Sequence, residues 1–134
     1  MTTDDIMLRS RFVGATGASL EERRSGYAKM SLVVRADHLG GGDEVHGGVI
    51  TALMDSTLAI ALRELRGDGA GLHTSIEMNA SFLDSAREGD LVTVTGEITH
   101  LTASVAFGEA SAYTSSGEII ARGRVTFALQ QAKD

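Results

Sequence analysis

Apolar and polar residues alternate with period two along most of this chain, and one long segment replaces that rhythm with a helical one. From Tyr27 to Arg35, the residues Ala28, Met30, Leu32 and Val34 share one face, which predicts a half-buried strand. Thr74 to Leu83 sets Ile76, Met78, Ala80 and Phe82 against Ser75, Glu77, Asn79 and Ser81. Leu91 to Thr99 sets Val92, Val94 and Ile98 against Thr93, Thr95, Glu97 and Thr99. Ser104 to Tyr113 and Ile119 to Leu129 follow, with Ile119, Ala121, Val125, Phe127 and Leu129 on one face of the last. Turn signals at Glu88-Gly89-Asp90 and Ser115-Ser116-Gly117 punctuate these strands. The last four are therefore expected to form an antiparallel meander. Ala106, Gly108, Ala110 and Ala112 are small enough to let their strand approach a neighbour closely.

The helical rhythm runs from Gly47 to Arg66, where Ile50, Leu53, Met54, Leu58, Ala61, Leu62 and Leu65 recur at three and four residues. At 1.5 Å per residue this predicts a rod of roughly 30 Å. It ends in Arg63 and Arg66 before Gly67, a basic last turn and a glycine stop. Its most apolar part, Val49 to Leu62, is too short to span a bilayer. It is also apolar nearly all round, so it has to be covered on most sides. A single curved antiparallel sheet of about five to six strands, wrapped around one central helix, satisfies that requirement. The expectation is one α+β domain over 1–134, with 1–25 as a lead-in that includes a short helix or irregular segment at Asp4 to Phe12.

Composition narrows the chemistry. With no cysteine, thiol nucleophiles, disulfides and zinc–thiolate sites are excluded. The net charge of −6 and the absence of tryptophan argue against nucleic acid and anionic membranes as partners. The N-terminal residues have no apolar signal core, so a cytoplasmic location is expected. His38 and His73 are expected at the surface or an edge, and His100 at a strand end. Together with His46 they show no HxH or HExxH spacing, so neither a metal nor a cofactor is expected. The loop Leu39-Gly40-Gly41-Gly42-Asp43 lacks the Gly-Lys-Ser/Thr continuation of a phosphate loop.

Two features can carry chemistry. Asp55 is the one charge between His46 and Arg63, inside a run that has to be buried. An unpaired carboxylate there costs several kcal/mol. Asp55 must emerge at a polar site, pair with neighbours such as Ser56 or Thr57 at a subunit seam, or bind something. The second feature is His46-Gly47-Gly48 at the helix start. Free amides and the positive end of the helix dipole suit a developing oxyanion. The plainer alternative is a glycine-rich turn with His46 as a cap or packing residue. Asp55 lies eight residues after Gly47, about 12 Å along the axis, too far to share one reacting carbon. Two antiparallel helices in a two-fold dimer would bring them together.

His46-Gly47-Gly48-Val49-Ile50-Thr51-Ala52-Leu53-Met54-Asp55 resembles the signature of the PaaI-like hotdog-fold acyl-CoA thioesterases. Ser75-Ile76-Glu77-Met78-Asn79 and Gly117-Glu118-Ile119-Ile120-Ala121 are similar to that family's strand after the helix and its late hairpin. The resemblance spans roughly Gly26 to Leu129. It implies the hotdog fold, hydrolysis of an acyl-CoA thioester, and a homodimer with a continuous sheet, often assembled into a homotetramer. Carried over residue by residue, Asp55 would be the catalytic carboxylate and the Gly47 amide would polarise the thioester carbonyl. His46 would shape the loop, and Ser75 would help hold water or substrate. Gly48 would add a second amide, with Gly40 and Asp43 as further substrate-binding positions. The family's Asn stands here as Gly40, its loop Gly as Asp43, and its basic pair near CoA as Leu101-Thr102-Ala103. These departures leave a non-hydrolytic acyl-CoA or acyl-carrier binding protein as the alternative. A hotdog dehydratase would need a histidine and acid at a different spacing.

Overall fold

The computed structural model of the protein describes residues 10–131. Six antiparallel strands form one sheet: β1 (Ser19–Arg24), β2 (Tyr27–Val33), β3 (His73–Phe82), β4 (Leu91–Leu101), β5 (Val105–Thr114) and β6 (Ile119–Leu129). A short helix α1 (Arg11–Thr16) precedes β1, a 3-10 turn (Ala36–His38) follows β2, and the long helix α2 (Gly47–Arg66) precedes β3. The central helix has the bounds its periodicity predicts. It stops at Gly67, whose φ of 85° is a left-handed conformation and whose N–H reaches the Arg63 carbonyl.

The spatial order is β1-β2-β4-β5-β6-β3. The expected four-strand meander is thus only partly right. β4, β5 and β6 are consecutive neighbours, whereas β3 pairs with β6 and leaves its other edge open. After β3 the chain crosses to the far side of β6 and β5, and β4 pairs with β2. The region 1–25 is also more than a lead-in. It supplies α1 and β1, and β1 makes a hairpin with β2 through Gly26, φ 76°. Strand β1 reads Ser-Leu-Glu-Glu-Arg-Arg and is almost wholly exposed, so no hydrophobic alternation marks it. The segment expected to be helical at Asp4–Phe12 lies mostly outside the described residues.

The sheet bends around α2. Ile50, Leu53, Met54, Leu58, Ala61 and Leu62 are buried against Ala28, Met30 and Leu32 of β2, Val92 and Val94 of β4, and Val125 and Phe127 of β6. Full burial of each such leucine or phenylalanine is worth roughly 1.5–3 kcal/mol. Close approach depends on missing side chains: a Cβ at Gly108 would sit 2.8 Å, and one at Gly96 2.9 Å, from Leu58 Cδ2.

One irregularity decides what β3 presents to the helix. Ser75 pairs with Phe127 and Glu77 with Thr126, so Ile76 is an extra residue in a β-bulge. The expected face of Ile76, Met78, Ala80 and Phe82 is therefore broken. Ser75 joins Met78 and Ala80 on the helix side, and Ile76 is 60% exposed.

Candidate active site

The helix start is capped by its own histidine. His46 has extended backbone (φ −66°, ψ 130°), and its Nδ1 accepts the Gly48 N–H at 2.8 Å. The ring proton of neutral His46 therefore resides on Nε2. The His46 carbonyl accepts the Val49 N–H at 2.9 Å. Gly47 N–H is left without an acceptor among the described residues, at the positive end of a 20-residue helix.

Both glycines make room for protein groups. A Cβ at Gly48 would lie 2.8 Å from His46 Nδ1, inside the cap, and one at Gly47 would lie 3.1 Å from Phe82 Cζ. With the Gly48 N–H committed to His46, the oxyanion reading rests on the Gly47 amide alone. A cavity of about 330 Å³ opens beside it, lined by Gly47, Ile50 and Phe82 together with Glu44, Asp84 and Ile120. Pattern reading did not single out Phe82, because strand alternation places it in the core rather than against a backbone amide.

Asp55 projects from the middle of α2 and is half-buried. Ser75 Oγ donates a hydrogen bond to Asp55 Oδ1 at 2.7 Å. Thr57 does not pair with it: the Thr57 hydroxyl donates to the Leu53 carbonyl at 2.6 Å. The β3 bulge is what puts Ser75 on the helix side to make this contact. Two residues before Ser75 on β3, His73 packs edge-on against Phe127 with ring centroids 5.4 Å apart. Burial, with Arg66 and Arg63 close by, holds the His73 ring below the usual histidine value against the pull of Asp55.

The remaining loop positions are structural partners of one another. Leu39 bridges Val45, and Gly40 N–H donates to the Glu44 carbonyl at 2.9 Å, closing a small hairpin. Asp43 Oδ2 lies 3.7 Å from Arg87 Nη1. The expectation of a surface or edge position for His38 is corrected. It is 4% exposed, its Nδ1 accepts Arg35 N–H at 2.8 Å, and its Nε2 is 2.8 Å from the Thr16 carbonyl. Its own carbonyl accepts the His46 N–H. A short polar turn gives no sequence signal for such burial, which comes from α1 folding over it. His73 does lie on an edge strand. Among the described residues, no group of three or more His, Asp or Glu could hold a metal, and no helix is long and apolar enough to cross a membrane.

The structure thus sets a helix carboxylate held by a strand hydroxyl about two turns from an amide that has no acceptor among the described residues. The thioesterase superfamily model matches residues 43–121, and the chain belongs to that superfamily. It is 34% identical over 110 residues to a Schizosaccharomyces pombe protein named "Putative esterase C31F10.02", covering 80% of this chain. It spans 66% of that relative's length, just under two thirds. The fold is similar to the Escherichia coli PaaI protein from the phenylacetic acid degradation operon, with TM-score 0.90 and 18% identity over 98% of this chain and 93% of that one. It is also similar to a hypothetical thioesterase protein from Streptococcus pneumoniae solved with coenzyme A. There the TM-score is 0.87 at 16% identity, over 99% of this chain and 100% of that one.

Proposed function

We propose that the protein hydrolyses an acyl-CoA thioester to the free acid and CoA, at sites shared between two copies. The observation that carries this reading is the 2.7 Å hydrogen bond from Ser75 to Asp55, which fixes a carboxylate at a half-open face of the helix. The coenzyme A bound to the similar Streptococcus pneumoniae protein supports the substrate class.

Within one chain Gly47 and Asp55 stand about 12 Å apart along the axis, so one protomer does not hold a complete site. Two features favour a dimer that completes it. Strand β3 is an edge carrying exposed Ile76 and Phe82, with exposed Leu83 just after it, and unpaired apolar edges invite pairing. Helix α2 also keeps Ala52, Asp55, Ser56 and Ala59 only half-covered by its own sheet. Antiparallel pairing of two β3 edges sets the Gly47 amide of one copy facing Asp55 and Ser75 of the other.

In this arrangement the thioester carbonyl oxygen accepts the Gly47 N–H, and the helix dipole favours the charge that develops there. His46 is a positioning residue that holds the turn. Asp55 takes a proton from water as the water oxygen bonds to the carbonyl carbon, the C–S bond breaks, and the thiolate leaves. Alternatively Asp55 attacks directly and forms an anhydride that water then opens. Single turnover in ¹⁸O-labelled water separates the two, since label in the Asp55 carboxylate belongs to direct attack.

The test is free CoA release from phenylacetyl, hydroxybenzoyl, short-chain and medium-chain thioesters, with wild type beside Asp55→Asn. Turnover is expected to fall by about 10²–10⁴-fold in the variant with the fold retained. Near-normal turnover would refute the assignment. Gly40 favours a second reading, because it stands where the resemblance expects a functional side chain and offers only backbone. Saturable acyl-CoA binding without thiol release in the wild type would make this a binding protein.

A further inference from the structure

On the face of the sheet away from α2, β3, β5 and β6 line an open depression of about 420 Å³ that contains neither Asp55 nor the helix start. Its polar lining comes from Asn79 and Ser81 of β3, Glu109 and Ser111 of β5, and Arg122 and Arg124 of β6. Strand register explains the grouping. Arg122 is paired with Ser81 on one side and Ser111 on the other, and Arg124 with Asn79 and Glu109. Gly123 between them faces inward, where a Cβ would lie 3.0 Å from Met54 Cε, so both arginines are turned outward.

The charge pattern of this patch is unusual for the molecule. The chain carries a net charge of −6, yet two guanidinium groups stand here on one face with a single carboxylate among six polar side chains. Neither arginine makes an ion pair among the described residues. Register sets Arg122 between the hydroxyl-bearing Ser81 and Ser111, while the carboxylate of Glu109 stands opposite Arg124 instead. A planar guanidinium presents paired donors that match a phosphate. A second arginine two residues along suits a doubly charged group better than a single carboxylate. Glu109 opposes Arg124, which makes Arg122 the stronger anchor.

We propose that this outer face, centred on Arg122, Ser81 and Ser111, binds the phosphate of a nucleotide-type ligand. Resting on the functional reading above, one source of that phosphate is the nucleotide end of the CoA thioester. The other is a free nucleotide that occupies the face independently of turnover.

The test begins with isothermal titration of adenosine 3′,5′-bisphosphate and of inorganic diphosphate into the full chain, which requires no activity. Saturable binding is expected for the wild type and for Arg24→Gln, a charge control on β1. It is expected to weaken about tenfold or more in Arg122→Gln. Kinetics then locate the source. If the ligand is the substrate's own nucleotide, Arg122→Gln raises KM for the acyl-CoA about tenfold relative to KM for the matching N-acetylcysteamine thioester, which has no nucleotide. Weakened bisphosphate binding with an unchanged KM ratio assigns the face to a free nucleotide. Absence of saturable binding in the wild type, or equal affinity in Arg122→Gln, overturns the proposal. So does phosphate-independent loss of a higher oligomer in Arg122→Gln, which would make the face an interface between copies. If the bisphosphate binds as expected but no thioester is cleaved, the functional reading fails while the phosphate site stands.

Discussion

Replacing His46 separates a cap from a chemical participant. Its Nδ1 accepts the Gly48 N–H at 2.8 Å, the hydrogen bond of an N-cap, although histidine is not among the favoured capping residues. His46→Ala removes that acceptor at an exposed helix start and leaves a second amide free beside Gly47. Loss of a cap costs about 1 kcal/mol, within a range of 0.5–2. For a chain of this length that corresponds to a fall in Tm of roughly 3–5 °C. His46→Asn supplies a carbonyl oxygen that caps at least as well, so its stability is expected to match or exceed the wild type.

Activity is expected to follow the same order. In His46→Ala the first turn loosens and the Gly47 amide loses its fixed direction, so CoA release is expected to slow by about tenfold, on the order of 1.4 kcal/mol of barrier. His46→Asn restores the cap and is expected to recover most of that rate. The measurements are thermal unfolding followed by circular dichroism, and thiol release under saturating thioester. If His46→Asn regains stability but remains as slow as His46→Ala, the imidazole itself acts on the substrate and the capping argument is wrong.

Ser75→Ala removes the side-chain donor to Asp55 and is expected to cut kcat several-fold with little change in Tm, whereas Ser75→Thr keeps the hydroxyl and retains most of the rate. Steady-state kinetics on the two variants check this. Gly108→Ala puts a Cβ 2.8 Å from Leu58 Cδ2 and is expected to destabilise by about 1–3 kcal/mol. Leu58→Ala alone is expected to cost about 2–5 kcal/mol, and denaturant unfolding of the double variant is expected to show less than the sum, because the two changes relieve each other. For His73 the folded ring titrates below the usual histidine range, through burial first and then Arg66 and Arg63. The unfolded chain then binds more protons near and below about pH 6.5. The stability this adds is fully present above that pH and is lost as pH falls through the lower folded value. His73→Gln is therefore expected to flatten the dependence of stability on pH below 6.5, and an unchanged slope in urea titrations would show that His73 contributes none of it.

What could be read before the structure was whatever a local pattern encodes. The period of Ile50, Leu53, Met54, Leu58 and Leu62 defines α2, and the Arg66-Gly67 stop defines its end, because helix geometry needs only neighbours three and four residues away. The wrapped sheet followed from how apolar that helix is. Asp55 and His46-Gly47-Gly48 stood out because a charge in a core and glycines at a helix start are both locally anomalous. Strand order was not legible in this way. Nothing within Thr74 to Phe82 states that its partner is β6, some fifty residues on, since pairing is settled by the whole sheet closing around one helix. Strand β1 was invisible because its residues face solvent on both sides and carry no apolar period.

The site itself turns on the least legible feature, the bulge at Ile76. Strict alternation puts Ser75 on the outer face with Glu77 and Asn79. One extra residue, with no glycine or proline to announce it, flips Ser75 inward and delivers its hydroxyl to Asp55 at 2.7 Å. The same slip pushes Ile76 outward at the open edge, where a second copy would cover it. A single irregularity thus links the positioning of the carboxylate to the exposure of the edge. Deleting Ile76 makes Ser75 and Glu77 consecutive opposite Phe127 and Thr126, so it should straighten β3 and keep the Ser75 contact while taking the apolar side chain and the bulge away from the pairing edge. Self-association is then expected to weaken in gel filtration, and an unchanged oligomeric state would show that Ile76 takes no part in joining two sheets.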